Sequence, residues 1–294
     1  MNFASRHIGV SHQELPSVLS AISSESIDQL ILETIPSALF SKNPLAIGEA
    51  MSEQEYLQHI AKLGSQNKPF KSYIGMGYYD TITPSVILRN IFENPGWYTQ
   101  YTPYQAEISQ GRLESLLNYQ TMISDLTGMP IANASLLDES TAAAEAMYMF
   151  YNAKNKSDII AHKFFVDNSV FPQTIAVLKT KAGYLGIEIV IGNILEYKFD
   201  DKCFGVLVQN PTIQGDIRDY ESKFAELKSQ GIYSALLADI MSLVLIKSPA
   251  EMGADCAIGS SQRFGVPIGF GGPYAAYFAT TEEFKRTIPG RIIG

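Results

Sequence analysis

The chain has 294 residues, of which 46% are apolar and 18% charged, a composition that predicts a folded globular protein and excludes a disordered or collagen-like one. Its 22 Lys and Arg against 30 Asp and Glu give a net charge of −8, which argues against nucleic-acid binding. The two cysteines cannot form a disulfide framework, the four histidines are too scattered for a metal site, and no apolar run reaches the roughly 20 residues of a membrane span. We therefore expect a soluble cytoplasmic protein that binds no metal, nucleic acid or membrane.

Residues 1–69 are predicted to form a helical N-terminal region. Ser11, Ser26 and Ser52 each stand where a serine can cap the start of a helix. The helix after Ser52 has apolar residues at helical spacing, and we expect Gly64 to end it in the left-handed way that glycine favours.

Residues 70–294 are predicted to form one α/β domain. Its first clear helix is capped by Ser109 and ends at Gly128, and its second begins near Asp138, before an alanine-rich segment at 142–149. Beyond residue 158 short apolar runs alternate with helical segments, which is typical of a mainly parallel sheet covered by helices on both faces. The predicted strands cover residues 159–161, 187–191, 206–208, 236–239, 257–258 and 275–278, and the predicted helices cover 173–181, between Pro172 and Gly183, and 219–228, ahead of Gly231.

Two loops have a composition that bears on chemistry. The segment 97–105 holds four aromatic residues and two amides without a charge, which suits either a small polar ligand site or simple packing on the core. The segment 265–273 contains four glycines but leads into a strand-like run. A tight turn is therefore a better interpretation of it than a phosphate-binding loop at a helix N-terminus.

Six motifs along the chain carry a family resemblance. They are Tyr-Ile-Gly-Met-Gly-Tyr-Tyr-Asp at 73–80, Tyr-Thr-Pro-Tyr-Gln at 101–105, Ser-Gln-Gly-Arg-Leu-Glu-Ser at 109–115, Ala-Asn-Ala-Ser-Leu-Leu-Asp-Glu at 132–139, Ala-Asp-Ile-Met at 238–241 and Gly-Ser-Ser-Gln-Arg-Phe-Gly at 259–265. Together they resemble the glycine cleavage system P-protein, in its N-terminal half or separate alpha subunit. The resemblance runs from Arg-His-Ile-Gly at 6–9 to Gly-Arg-Ile-Ile-Gly at 290–294.

That resemblance implies the large domain of a type I pyridoxal-phosphate-dependent transferase, with three α/β/α layers, and a role in glycine decarboxylation. In that reaction glycine loses carbon dioxide and its aminomethyl group passes to the lipoylated H-protein. The implied partners are a catalytic beta-type half of P-protein, the H-protein and glycine, in a homo- or hetero-oligomer. The family's N-terminal half continues into an arginine-rich segment and a smaller C-terminal domain, whereas this sequence ends at Gly294, as a fragment or as the product of a split gene.

The resemblance also implies where the cofactor would lie, and the residues there predict a degenerate pocket. This pocket consists of Ser140, Thr141, Asp239 and Gln262. Asp239 matches the acid that faces the pyridinium nitrogen. Gln262 stands at the position of the cofactor lysine but has no amine to form a Schiff base, and Arg263 beside it cannot replace the lysine because guanidinium stays protonated.

The phosphate-binding turn is altered as well. Ser-Thr-Ala at 140–142 stands where the active half has Ser-Gly-Ala, so Thr141 adds a side chain at a close backbone approach. Asp138 and Glu139 at the start of the same helix are expected to repel a phosphate. We therefore predict that pyridoxal phosphate is bound by the catalytic half, and not covalently by this chain.

The predicted contribution of this chain to its partner's active site comes from the polar aromatic loop and the helix after it. The residues are Tyr101, Tyr104, Gln105 and Ser109. Phe171 and Tyr274 stand where the family has histidines, so no imidazole role carries over at those positions. Two alternatives remain open: a catalytically inactive scaffolding or binding subunit, and an independent small-molecule enzyme that uses the aromatic loop.

Overall fold

A computed structural model describes residues 4–98, 102–155 and 161–294. By its internal contacts the chain separates into two compact units, Met1–Lys71 and Ser72–Gly294. None of the described residues forms a helix long and apolar enough to cross a membrane.

The first unit contains four short helices, α1 to α4. They cover Ala4–His7, Leu15–Ala21, Ile27–Thr34 and Glu53–Gly64. Ser26 caps α3 by accepting a hydrogen bond from the Gln29 amide, and Ser52 forms a reciprocal capping box with Glu55 at the start of α4, as predicted. No residue of α2, α3 or α4 is buried, so these helices present their apolar side chains to solvent in the single chain.

Two expectations for this unit are wrong in detail. Ser11 does not cap α2, because the helix begins only at Leu15 and Ser11 instead exchanges hydrogen bonds with Glu14 in a preceding turn. Gly64 is the last residue of α4, but the residue after it, Ser65, keeps a right-handed backbone, so no left-handed glycine ends the helix.

The second unit is a seven-stranded sheet with helices on both faces. Its strands β1 to β7 are Ile131–Ala132, Lys163–Asp167, Glu188–Gly192, Cys203–Asn210, Tyr233–Ala238, Cys256–Ser260 and Ala276–Thr280. Its helices α5 to α10 are Ser85–Ile87, Pro95–Tyr98, Gln110–Thr127, Glu139–Lys154, Pro172–Leu185 and Glu221–Ser229, with a π-helical turn at Leu88–Phe92. Short 3₁₀ turns cover Ala106–Ile108, Ser242–Val244, Gln262–Phe264 and Glu282–Phe284.

The strand order is β1-β7-β6-β5-β4-β2-β3. The five neighbouring strands β6, β5, β4, β2 and β3 are parallel to one another. At the other edge β7 pairs antiparallel with β6, and β1 pairs antiparallel with β7. Alternate side chains of one strand enter different cores. Phe164 packs with α8 and α9 on one face, while Phe165 packs with residues of α7 and α10 on the other. The predicted three-layer α/β fold with a mainly parallel sheet is therefore confirmed.

The element bounds differ from the predictions at several places. Helix α7 ends at the left-handed Gly128 as expected, but the Ser109 side chain makes no capping hydrogen bond. Helix α9 continues through Gly183 and ends at Gly186, which has a φ of +67°. Strand β2 begins at Lys163, not in the predicted run 159–161. Of that run, residues 159 and 160 lie outside the described residues and Ala161 is not in a strand. The two-residue strand β1 was not predicted.

Candidate site at the carboxyl edge of the sheet

A small cavity of about 30 Å³ lies at the carboxyl ends of the parallel strands β4, β5 and β6. In open α/β sheets this edge is where ligands bind, because the connecting loops and helix starts converge there. The cavity is lined by side chains that follow these strands, by the start of α8 and by the segment that contains Gly77 and Tyr79. Ligand pockets of proteins have volumes of roughly 300–1,000 Å³, so this cavity has room for little more than a water molecule.

Asp239 and Arg263 form the central ion pair of the cavity. Asp239 directly follows β5, and Arg263 lies in the 3₁₀ turn that follows β6. Arg263 Nε donates to Asp239 Oδ1 at 3.2 Å and Arg263 Nη2 donates to Asp239 Oδ2 at 3.0 Å, a bidentate arrangement. The guanidinium carbon also lies 4.5 Å from the centre of the Tyr79 ring, within cation–π distance.

Glu139, the first residue of α8, is a buried acid that lines the same cavity. The Tyr274 hydroxyl lies 3.3 Å from Glu139 Oε2 and 3.0 Å from the Gly77 carbonyl oxygen, and its single hydrogen is donated to one of these two acceptors at a time. Burial raises the pKa of Glu139 to about 7, and the hydrogen bond from Tyr274 opposes part of that increase. From the sequence, Asp138 and Glu139 were both predicted to be ordinary charged residues at a helix start. The prediction is wrong for Glu139, because its carboxyl group is buried.

The residues of the predicted phosphate turn are engaged in local hydrogen bonds. The Asp138 carboxylate caps α8 by accepting from the Thr141 amide at 2.7 Å and from the Thr141 hydroxyl at 3.0 Å. The Ser140 hydroxyl is 3.0 Å from the hydroxyl of Thr174 on α9. Neither Ser140 nor Thr141 lines the cavity. The one amide that Thr141 could present to an anion is already used by the protein itself.

Gln262, which the family resemblance assigns to the position of the cofactor lysine, is buried and lines the cavity. Its side-chain amide donates to the Pro273 carbonyl oxygen at 3.3 Å, and its backbone amide donates to the Ser260 hydroxyl at 3.1 Å. These bonds hold Gln262 against the glycine-containing segment that precedes β7. That segment turns tightly, with positive φ angles at Gly265, Gly269 and Gly271.

The predicted contributors to a partner's site that the structure describes are not brought into this cavity. Tyr101 lies outside the described residues. Tyr104 and Gln105 are exposed, Ser109 is half-buried, and none of the three lines the cavity. Their contribution to a partner's site stays a prediction. Among the residues that the structure describes, no group of three or more His, Cys, Asp or Glu side chains could hold a metal ion.

Three residues at this site are not among the site residues predicted from the sequence: Tyr79, Glu139, which was predicted only as an acid at a helix start, and Tyr274, which was noted only as a departure from the family pattern. Phe171 and Tyr274, which stand where the family has histidines, could have indicated this site from the sequence. Phe171 lines the cavity, and the Tyr274 hydroxyl contacts the Gly77 carbonyl oxygen. A Cβ atom added at Gly77, which has a φ of +86°, would lie 2.9 Å from the Tyr274 hydroxyl and 3.1 Å from the Phe171 ring. The departures from the family pattern thus mark the wall of the pocket.

The residues of this cavity do not fit pyridoxal phosphate. The position of the lysine holds Gln262, the carboxylate of Asp239 is paired on both oxygens with Arg263, and the Thr141 amide is used by Asp138. The remaining space is about 30 Å³. No chemical step through the cofactor follows from the residues of this chain.

A mixed sheet with helices on both faces and a cavity at the carboxyl edge of its parallel strands defines a protein of the α/β class, in which this edge is the usual place for ligands. Residues 5–294 match the glycine cleavage system P-protein family, and the chain belongs to that family. The family resemblance carried by the six motifs is therefore confirmed.

Relatives and a solved structure agree with this assignment. The chain is 55% identical over 296 residues to a glycine dehydrogenase (decarboxylating) of Christiangramia forsetii, covering 100% of this chain and 31% of that protein. It is 55% identical to the protein of the same name in Nostoc sp., covering 100% of this chain and 30% of the relative. The crystal structure of an inhibitor-bound glycine decarboxylase (P-protein) superposes with a TM-score of 0.88 at 30% identity, covering 97% of this chain and 65% of that chain. The chain thus spans less than a third of the length of these curated relatives.

Proposed function

We propose that this chain acts as the N-terminal part of a glycine decarboxylase of the glycine cleavage system, and that it works with a catalytic half. In this proposal the catalytic half binds pyridoxal phosphate and glycine, and the aminomethyl group left by decarboxylation passes to the lipoylated H-protein. The match over residues 5–294 to the P-protein family carries the proposal. The net charge of −8 and the short helices are compatible with a cytoplasmic enzyme component.

The role of this chain within that enzyme is to complete a site on the catalytic half. The bidentate pair of Arg263 with Asp239 and the glutamine at position 262 support this division of labour, because they leave this chain without a lysine or a free acid for the cofactor. The exposed Tyr104 and Gln105 are the candidate contributors, since side chains at the surface of one half are available to the other.

The test is to combine this chain with the catalytic half and H-protein and to measure glycine-dependent exchange of labelled carbon dioxide. We expect Tyr104→Phe to lower the exchange rate several-fold. Tyr184→Phe is the matched control, since Tyr184 is also highly exposed but lies at the far end of α9. Exchange that is the same with and without this chain would contradict the proposal.

A second candidate function is a scaffolding subunit that stabilises the catalytic half without contributing a side chain to its site. One observation favours it: Tyr104, Gln105 and Ser109 do not line the cavity at the carboxyl edge of the sheet. The same exchange assay separates the two functions. A scaffold predicts that the chain is required and that Tyr104→Phe has no effect.

A further inference from the structure

Arg263 is held in the cavity by two kinds of contact at once. Its Nε and Nη2 atoms both donate to the Asp239 carboxylate, at 3.2 and 3.0 Å. Its guanidinium carbon lies 4.5 Å from the centre of the Tyr79 ring. An acid at the edge of a flat cation and an aromatic ring on its face form a recognition site for planar cations. The cation in this site belongs to the chain itself.

The charges around the site require a cation there. Asp239 and Glu139 line the same cavity, and the charge of Asp239 disfavours ionisation of Glu139. Arg263 is the only cationic side chain among the lining residues that the structure describes. The side chains of Asp239 and Arg263 are only 19% and 27% exposed. Water therefore screens this group of charges only in part, and losing the cation would leave the half-buried Asp239 carboxylate without a cationic partner, with the Met241 amide still donating to its Oδ1 at 3.1 Å.

We propose that Arg263 is an internal ligand that closes a recognition site for a planar cation, built by the Asp239 carboxylate and the Tyr79 ring, and that the class of ligand this site accepts is a guanidinium or amidinium group. This inference goes beyond the proposed function, since it concerns a binding site inside this chain and not the reaction of the catalytic half. The site joins three separate segments: the end of β5, the turn after β6 and the segment around Tyr79. Occupation by Arg263 therefore fixes these segments together.

The shape of the site distinguishes arginine from lysine. A lysine ammonium is a compact charge that donates to one carboxylate oxygen at a time and does not lie flat on a ring, whereas guanidinium satisfies both oxygens and stacks. Arg263→Lys keeps the charge but not the two parallel N–H donors. We therefore expect its melting temperature to fall by more than half as much as that of Arg263→Ala.

Chemical rescue of Arg263→Ala tests the proposal directly. Truncation at Cβ leaves a space with the shape of ethylguanidinium. We expect the variant to unfold roughly 3–6 °C below the natural chain, and millimolar ethylguanidinium to restore a large part of that loss in a saturable way. Ethylammonium, with the same charge and no fork, is expected to restore little, and neither compound should stabilise the natural chain.

Two further variants test whether the Asp239 carboxylate binds the added cation. Arg263→Ala combined with Asp239→Asn is expected to lose the response to ethylguanidinium, because the carboxylate that receives the fork is gone. Arg218→Ala is the matched control: the Arg218 side chain is 29% exposed and its nearest acid contact, to Asp167, is 3.6 Å, without a bidentate fork. We expect it to be no more responsive than the natural chain.

The proposal is overturned if ethylguanidinium stabilises Arg218→Ala, the natural chain or the double variant as much as it stabilises Arg263→Ala. The compound would then act without the site. Full stability of Arg263→Lys would overturn it too. If Arg263→Ala does not fold alone, the yield of folded chain after refolding with ethylguanidinium or ethylammonium replaces the melting temperature. Equal yields with the two compounds then contradict the proposal. These readouts do not involve glycine turnover, so their failure is distinct from failure of the proposed function.

Discussion

The Tyr274 hydroxyl lies between a buried carboxyl group and a backbone carbonyl, 3.3 Å from Glu139 Oε2 and 3.0 Å from the oxygen of Gly77. A phenol has one hydrogen and cannot donate fully to both acceptors. The ionised Glu139 carboxylate draws this hydrogen to itself, whereas protonation of Glu139 leaves it to the Gly77 carbonyl oxygen. Burial raises the pKa of Glu139, and the hydrogen bond that Tyr274 donates to the ionised form opposes part of that increase.

Glu139→Gln is expected to change how stability depends on pH. Burial raises the pKa of Glu139 from 4.5 to about 7 in the folded chain, so between these values the folded state holds a proton that the unfolded state has released. Stability from this group is fully present below pH 4.5 and is lost as the pH rises to about 7. Glutamine keeps the neutral form, and we expect it to stabilise the variant relative to the natural chain by about 2–3 kcal/mol more at pH 8 than at pH 4.5.

The measurement is urea unfolding of both proteins at several pH values between 4.5 and 8. Glu107→Gln, at an exposed acid of the same unit, serves as the control for the effect of the substitution itself. A Glu139→Gln difference that is constant across this range would show that Glu139 is ionised in the folded chain.

Tyr274→Phe is expected to destabilise the chain by about 1–2 kcal/mol, because it removes the donor to Gly77 and the partner of Glu139. Phenylalanine keeps the stacked contact with Tyr78, whose ring centre is 4.9 Å away, so the change isolates the hydroxyl. Since the hydrogen bond from Tyr274 lowers the pKa of Glu139, its loss should raise that pKa further. Carbon-13 titration of the Glu139 carboxyl group reports the shift, and an unchanged or lowered pKa would contradict the assignment.

Two glycines of α9 are expected to respond to alanine with opposite signs. Gly183 lies within the helix with open space around its Cβ position, so Gly183→Ala should stabilise the chain by about 0.5–1 kcal/mol. Gly186 ends the helix with a φ of +67°, so Gly186→Ala should cost about 1–2 kcal/mol. Thermal unfolding of the two variants makes the comparison. Destabilisation by Gly183→Ala would place the end of the helix where the sequence predicted it.

Gln262→Lys alone is expected not to create a cofactor site. The new amine would face an Asp239 that is still paired with Arg263, beside a Thr141 amide that is still bonded to Asp138. Borohydride reduction in the presence of pyridoxal phosphate, followed by peptide mass analysis, should find no stoichiometric adduct at position 262. The natural chain is the baseline for labelling of surface lysines, and full labelling at position 262 would show that the pocket is open.

Several helix starts were predicted correctly from local signals, although Ser11 and Ser109 do not cap their helices. Ser52 and Glu55 form the capping box within four residues, and Asp138 caps α8 three residues before its bonding partner Thr141. The alternation of strand side chains between the two cores is likewise a pattern of neighbouring residues, as at Phe164 and Phe165. The end of α9 was wrong because Gly183 and Gly186 look alike in sequence, and only the backbone angle distinguishes a glycine that is tolerated in a helix from one that terminates it.

The sequence by itself determined the three-layer fold and the family, because apolar periodicity and long motifs are properties of short segments. Only the tertiary structure decided that Arg263 pairs with Asp239 across 24 positions of sequence and that Tyr274 reaches Glu139 across 135. It also decided the state of Glu139, since the same carboxyl group is an ordinary helix-start charge in water and an acid of raised pKa when buried. Burial and pairing depend on which strand ends the sheet brings together, and no local pattern encodes that.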